Sequence, residues 1–242
     1  QSLLIQSKAS ATSTALWGGS WHGQIQSATA QMSSPQSTVP WKAQLQEAVG
    51  WQWSSTDHIA AAQWQAGRIA VQGPTAGQAM LHWDAGQWHT RTQAAHTSSA
   101  ARSTPASQLT ARIDELPLGW LPVGLGAEVQ SDLVLKGHLR LEQAQGLQLR
   151  ARLERSRGDL RIIADNAPGQ RINSGLHEAS MALDIDNENV QLRLNWNSEQ
   201  MGQLQAQAQT RLSHDAQGWH WPAQAPISGG LKAQLPRVGA WS

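Results

Sequence analysis

The chain has 242 residues, of which 40% are hydrophobic and only 14% charged, with a formal net charge of +1. There is enough apolar material for a core, but charge falls well below the rough quarter usual in soluble domains, and with no basic stripe to follow a phosphate backbone nucleic-acid binding is set aside. No Cys is present, so there is neither a disulfide framework nor thiolate chemistry, and with no Phe or Tyr against 13 Trp, tryptophan alone supplies aromatic anchoring.

The chain opens on Gln1-Ser2-Leu3-Leu4-Ile5-Gln6, without Met and without the basic start and apolar core of a signal peptide, and nowhere do about 18 apolar residues run together. With Leu231 to Leu235 still strand-like near the end, it reads as a fragment of something longer. From there a two-residue apolar period dominates, and it predicts strands over 20–25, 41–46, 48–54, 58–65, 67–72, 78–83 and 87–94. Residues 94–108 are small, polar and aperiodic, which predicts a solvated loop between an N-terminal part of the sheet (1–93) and a C-terminal part (109–242). Strands follow over 108–114, 131–142, 147–155, 158–164, 177–186, 189–197, 201–212 and 229–235, with a weaker break at Ala164 to Ser174 around Asn166-Ala167-Pro168-Gly169. No helix of 12 or more residues is predicted; between Pro117 and Pro122 the segment Glu115 to Pro122 has room for a short turn only.

Polar or glycine-bearing segments separate the runs at hairpin spacing: Trp83-Asp84-Ala85-Gly86-Gln87-Trp88, Gln143-Ala144-Gln145-Gly146, Asp186-Asn187-Glu188-Asn189 and Asp215-Ala216-Gln217-Gly218-Trp219. The pattern is cleanest in Gln203-Leu204-Gln205-Ala206-Gln207-Ala208-Gln209-Thr210-Arg211-Leu212, one greasy face and one wet face. It recurs in Leu133, Leu135, Leu139 and Leu141, in Leu147, Leu149, Ala151 and Leu153, in Met181, Leu183 and Ile185, and in Val190, Leu192, Leu194 and Trp196.

Catalytic and metal chemistry find little support. No His pair has the two- or four-residue spacing that puts two rings on one metal, no Gly-x-Ser-x-Gly elbow is present, and Gly18-Gly19 and Gly229-Gly230 lack the Lys and helix of a phosphate loop. They read as strand starts or bulges. Asp184 and Asp186 share a strand face, as a glycosidase pair would, but that face is the wet one opposite Met181, Leu183 and Ile185. No catalytic residue, cofactor or metal is expected.

Ordinary β-sandwiches also alternate. Here, however, the second-half strands run about ten residues, roughly 30 Å at about 3.3 Å per residue, and follow one another through short turns. A long meander with one apolar face closes on itself, packs on a second sheet, or stays open and lodges something apolar. Its small Leu, Ala, Val and Ile side chains fill an interior poorly, and the Tyr-rich girdles of membrane barrels are missing. The expected fold is all-β, a long antiparallel meander forming a curved open sheet or trough. Its apolar inner face would carry Leu133, Leu135, Leu139, Leu149, Leu153, Met181, Leu183, Ile185, Val190, Leu192, Leu194, Trp196 and Leu204.

Trp17-Gly18-Gly19-Ser20-Trp21-His22-Gly23-Gln24-Ile25, Pro40-Trp41-Lys42-Ala43-Gln44-Leu45, Leu81-His82-Trp83-Asp84-Ala85-Gly86-Gln87-Trp88 and Leu116-Pro117-Leu118-Gly119-Trp120-Leu121 come in an order that resembles TamB proteins. Gly158-Asp159-Leu160-Arg161-Ile162, Gly175-Leu176-His177-Glu178-Ala179, Gly202-Gln203-Leu204 and Leu235-Pro236 extend the likeness over nearly the whole chain. The resemblance implies an internal stretch of a long periplasmic protein anchored in the inner membrane, whose β-sheet trough carries phospholipid toward the outer membrane. It also implies a role in outer-membrane protein assembly with a TamA-like β-barrel partner, bound through regions outside this fragment. Two other readings stay open: an adhesin-like scaffold with a closed dry core, and a carbohydrate-binding β-protein stacking sugars on Trp88, Trp219 and Trp221.

Overall fold

The computed structural model describes residues 2–13, 19–34, 37–55, 59–91, 107–120, 129–144, 146–163, 171–215 and 218–235. The loop expected over 94–108 lies outside these except at its end, as do 164–170 of the second expected break. The fold is all-β and antiparallel, with no α-helix among the described residues. The chain divides into two compact units, 1–112 with 139–147, and 113–138 with 148–242.

The first unit contains β1 (Ser2–Ser13), β2 (Ser20–Ser34), β3 (Ser37–Leu45), β4 (Val49–Ser55), β5 (Ile59–Trp64), β6 (Gly67–Gln72), β7 (Ala79–Trp83), β8 (Gly86–Arg91) and the start of β9 (Ser107–Pro117). β1 lines one edge of β2 for its whole length; on the other edge β3 pairs with Thr29 to Ser34 and β4 with Ser20 to Ile25. β3 and β4 are thus two halves of one long strand, broken at 46–48. β5 and β6, broken at 65–66, pair back along it, and β7 and β8, broken at 84–85, pair along them in turn. The breaks lie side by side and are sealed by Gln46 N–H to Arg68 O at 3.0 Å, Gln65 N–H to Gly50 O at 2.9 Å and Asp84 N–H to Thr110 O at 3.0 Å.

Two expectations change here. The segment Trp83 to Trp88 does not reverse the chain: Asp84 and Ala85 form a kink within a continuing strand, because their neighbours across the sheet kink at the same level. Ser107 belongs to β9 rather than to the loop, one residue ahead of the strand expected over 108–114, and is buried with its Oγ accepting from His89 N–H at 2.8 Å. β1 has no counterpart in the sequence reading, since a Ser- and Ala-rich strand has weak intrinsic preference and forms against the partner that β2 offers.

In register, Trp51 faces Gly23, Trp64 faces Gly86 and Trp83 faces Gly67, and each indole lies over its glycine. The bare glycine backbone is shielded by a ring from the next strand. A Cβ at Gly67 would stand 2.4 Å from Trp83 Cζ2 and 2.7 Å from Val49 Cγ2. Gly67→Ala is therefore expected to cost about 1–3 kcal/mol in urea unfolding. Gly119→Ala, whose Cβ meets nothing within 4 Å, is expected to stay within about 0.5 kcal/mol.

The second unit carries the rest of β9, β10 (Val129–Ser131), most of β12 (Leu147–Arg157), β13 (Leu160–Ile163), β14 (Arg171–Asn173), β15 (Leu176–Asp186), β16 (Asn189–Ser198), β17 (Gly202–Arg211), β18 (Ser213–Asp215), β19 (Gly218–His220) and β20 (Ser228–Gln234). β11 (Val134–Gln143) enters it with residues 134–138. β12, β15, β16, β17 and β20 pair in that order. Asn187 turns the β15–β16 hairpin at φ 54°, a conformation Asn tolerates better than most residues. β10, β13 and β14 form a small sheet, β18 and β19 a hairpin, and Leu118–Trp120, directly after Pro117, a 3-10 turn. Leu133, Leu135, Leu160 and Leu176 make a closed core, with Leu116, Leu118, Leu153, Ala179 and Trp196 packed around it.

Candidate functional site

Cross-strand partners share a face, so the pairing registers decide which side chains the period-two pattern brings together. In the second unit they yield unbroken rows. Leu153, Met181, Leu194, Ala206 and Leu231 cross five strands, and Ala151, Leu183, Leu192, Ala208 and Gly229 cross the same five. On either side lie Leu149, Ile185, Val190 and Thr210, and Ala179, Trp196, Leu204 and Ala233. Ten of the expected lining residues, Leu149, Leu153, Met181, Leu183, Ile185, Val190, Leu192, Leu194, Trp196 and Leu204, thus stand on one continuous face.

Solvent reaches the middle of this face. Met181 is 42% exposed and Leu192 38%, and Leu231, on the edge strand β20, 71%. Towards one end the rows run into the closed core, which holds Leu133 and Leu135; these two are packed by protein rather than open. At the other end Val190 is buried and the Thr210 hydroxyl is shielded from solvent. Leu139 lies farther along β11, half-buried, in the stretch that belongs to the first unit.

The reverse face is polar. Arg193 pairs with Asp184 across β15 and β16, and Glu154 meets Arg152 at 3.0 Å and Lys136 at 3.1 Å. Asp184 is held by a cation, and its neighbour Asp186 stands opposite Gln148 and Asn189. Among the described residues no group of three or more His, Asp or Glu could hold a metal.

A carboxylate fastens the closed end. Asp159 accepts hydrogen bonds from the N–H of Leu160 at 2.8 Å, Gly175 at 3.0 Å and Leu176 at 3.1 Å, and from the Ser174 hydroxyl. Asp132 Oδ1 in turn accepts from Asp159 N–H at 2.6 Å, and Arg161 pairs with Asp132. Burial pushes the Asp159 carboxyl up, but the four hydrogen bonds outweigh it and hold the group below its ordinary value. The approach depends on Gly158 at φ 86°, where a Cβ would stand 2.1 Å from Asp132 O.

A second apolar face, in the first unit, was not singled out from the sequence. Ile5, Ala30, Ala43, Val71 and Ala79 make one row, Leu45, Ile69 and Leu81 another, and Trp21, Trp53, Ala62 and Trp88 a third, with Trp21 and Trp53 exposed. The signal was present as Trp-x-Gly-x-Ile at 21–25 and Val-x-Trp-x-Trp at 49–53, the same period with tryptophan and glycine in place of leucine. Comparison with protein-family models, with curated proteins and with solved structures finds no match.

Proposed function

We propose that this chain is a segment of a lipid-carrying trough, whose apolar sheet face holds phospholipid acyl chains while head groups stay in water. The observation that carries the reading is the set of unbroken apolar rows over β12, β15, β16, β17 and β20, with Met181 and Leu192 still open to solvent at their centre. A face finished by its own protein would bury those side chains. An apolar surface of this extent on a chain so poor in charge calls for an apolar occupant. Each methylene removed from water is worth about 0.8 kcal/mol, so an acyl chain of about a dozen carbons gains on the order of 10 kcal/mol by lying on it.

The order of motifs resembling TamB proteins supplies the setting: a periplasmic segment of an inner-membrane-anchored protein, moving phospholipid between the two membranes and supporting outer-membrane protein assembly beside a TamA-like barrel. Sliding along equivalent leucines exchanges one apolar contact for another and needs no catalytic residue. The dry-scaffold reading applies to the closed core around Leu133 and Leu135.

The test is a photo-crosslinking residue placed in the whole protein in cells, at Leu192 on the apolar face or at Arg193 on the polar one. Phospholipid adducts at position 192 and none at 193 are expected. Adducts at neither position in a folded protein would leave a structural sheet as the better account.

A further inference from the structure

The polar side of the first unit differs from that of the second in a way that points to a ligand of its own. Thr12, His22, Gln52, Gln63, Gln87 and Gln108 are successive cross-strand partners over β1, β2, β4, β5, β8 and β9, a straight row with no carboxylate, Lys or Arg in it. The second unit's polar face mixes ion pairs with its amides; in this row four amides follow one another with no charged residue among them. It borders a hollow of about 560 Å³, within the roughly 300–1,000 Å³ range of ligand sites.

Gly50 leaves its floor without a side chain, and the kink at 65–66 turns the Gln65 side chain onto that spot, where its Oε1 accepts from Gly50 N–H at 3.0 Å. One amide is thereby oriented at the floor, with its NH₂ left to donate. Gln52 and Gln63 beside it are exposed.

We propose that this hollow binds an extended, uncharged, polyhydroxylated chain, a neutral oligosaccharide. Primary amides donate and accept at once, as paired hydroxyls do, so a ladder of them matches a polyol without needing charge on either side. The row from His22 to Gln108 crosses five strands, about 19 Å at about 4.8 Å per strand, which suits a linear chain rather than a single sugar. Ordering long glutamine side chains costs conformational entropy, so the affinity belongs in the high micromolar to millimolar range. Trp51 and Trp64 also line the hollow, and the site does not rest on the lipid reading.

The test is calorimetric titration of the whole chain with chitohexaose, with the Gln side-chain amide resonances followed in parallel. Binding is expected to shift the amides of Gln52 and Gln63. Q52A/Q63A should weaken it at least tenfold, while Q205A/Q207A, on the second unit's polar face, should leave it within twofold, all with unchanged circular dichroism. No binding at millimolar sugar, equal losses in both double variants, or a concentration-dependent dimer that Q52A/Q63A abolishes would each overturn the proposal, the last by assigning the row to a second copy of the chain.

Discussion

Leu176→Ala is expected to lower the free energy of unfolding by about 2–5 kcal/mol, and Leu192→Ala by less than about 1.5 kcal/mol. Both residues are leucines on neighbouring long strands, and their difference lies in what surrounds them. Leu176 is 4% exposed and packs with Leu133, Leu135 and Leu160, so its truncation opens a cavity that rigid neighbours cannot close. Leu192 is 38% exposed and loses part of a contact that water already shares. Urea unfolding followed by tryptophan fluorescence measures both. The comparison bears on function: a large loss at Leu192 would mean that its face is a finished core, and the lipid reading would lose its footing.

The strand pattern of the second unit was legible because each strand repeats a single rule with large side chains. Leu, Ile and Val on one parity and Gln, Arg and Asp on the other fix which face a residue takes, and direct pairing carries that choice from β12 to β20, with the register shifting between Leu176 and Glu178 where β15 begins. The first unit obeys the same rule in a less readable form. Its strands are broken at 46–48, 65–66 and 84–85, and the last break looks locally like a turn, since Asp84 and the nearby Gly86 have turn chemistry whether or not the chain reverses. Only the partner strand decides. The Trp-over-Gly pairs are likewise invisible along the chain, because the two members lie on different strands.

The closed core shows the other limit of period-two reasoning. Leu133 and Leu135 carry the same local signature as Leu149 or Leu183, yet they are sealed by Leu160 of the small sheet and by Leu118 of the 3-10 turn. Residues that lie under a covering element cannot be told from open ones by alternation. The covering element is itself held by a polar contact, and polar contacts across a sequence gap leave no periodic trace.

That contact is the one whose removal is expected to act most sharply with pH. Asp159→Ala strips the acceptor from the N–H groups of Leu160, Gly175 and Leu176 and from the Ser174 hydroxyl, Ser174 being buried. Unpaired donors at a shielded site cost about 1–3 kcal/mol each without adding fully, so a loss of about 3 kcal/mol at neutral pH is expected. Because the folded protein holds the Asp159 carboxyl below its unfolded value of about 3.9, its contribution is complete above that value and is lost as pH falls through the lower, folded one. Wild-type stability should therefore drop below about pH 4, and Asp159→Asn should show a shallower drop over the same window. Urea midpoints from pH 7 to pH 2.5 test this. Parallel curves for wild type and Asp159→Asn would show that the carboxylate's charge plays no part in fastening the small sheet to the end of the apolar face.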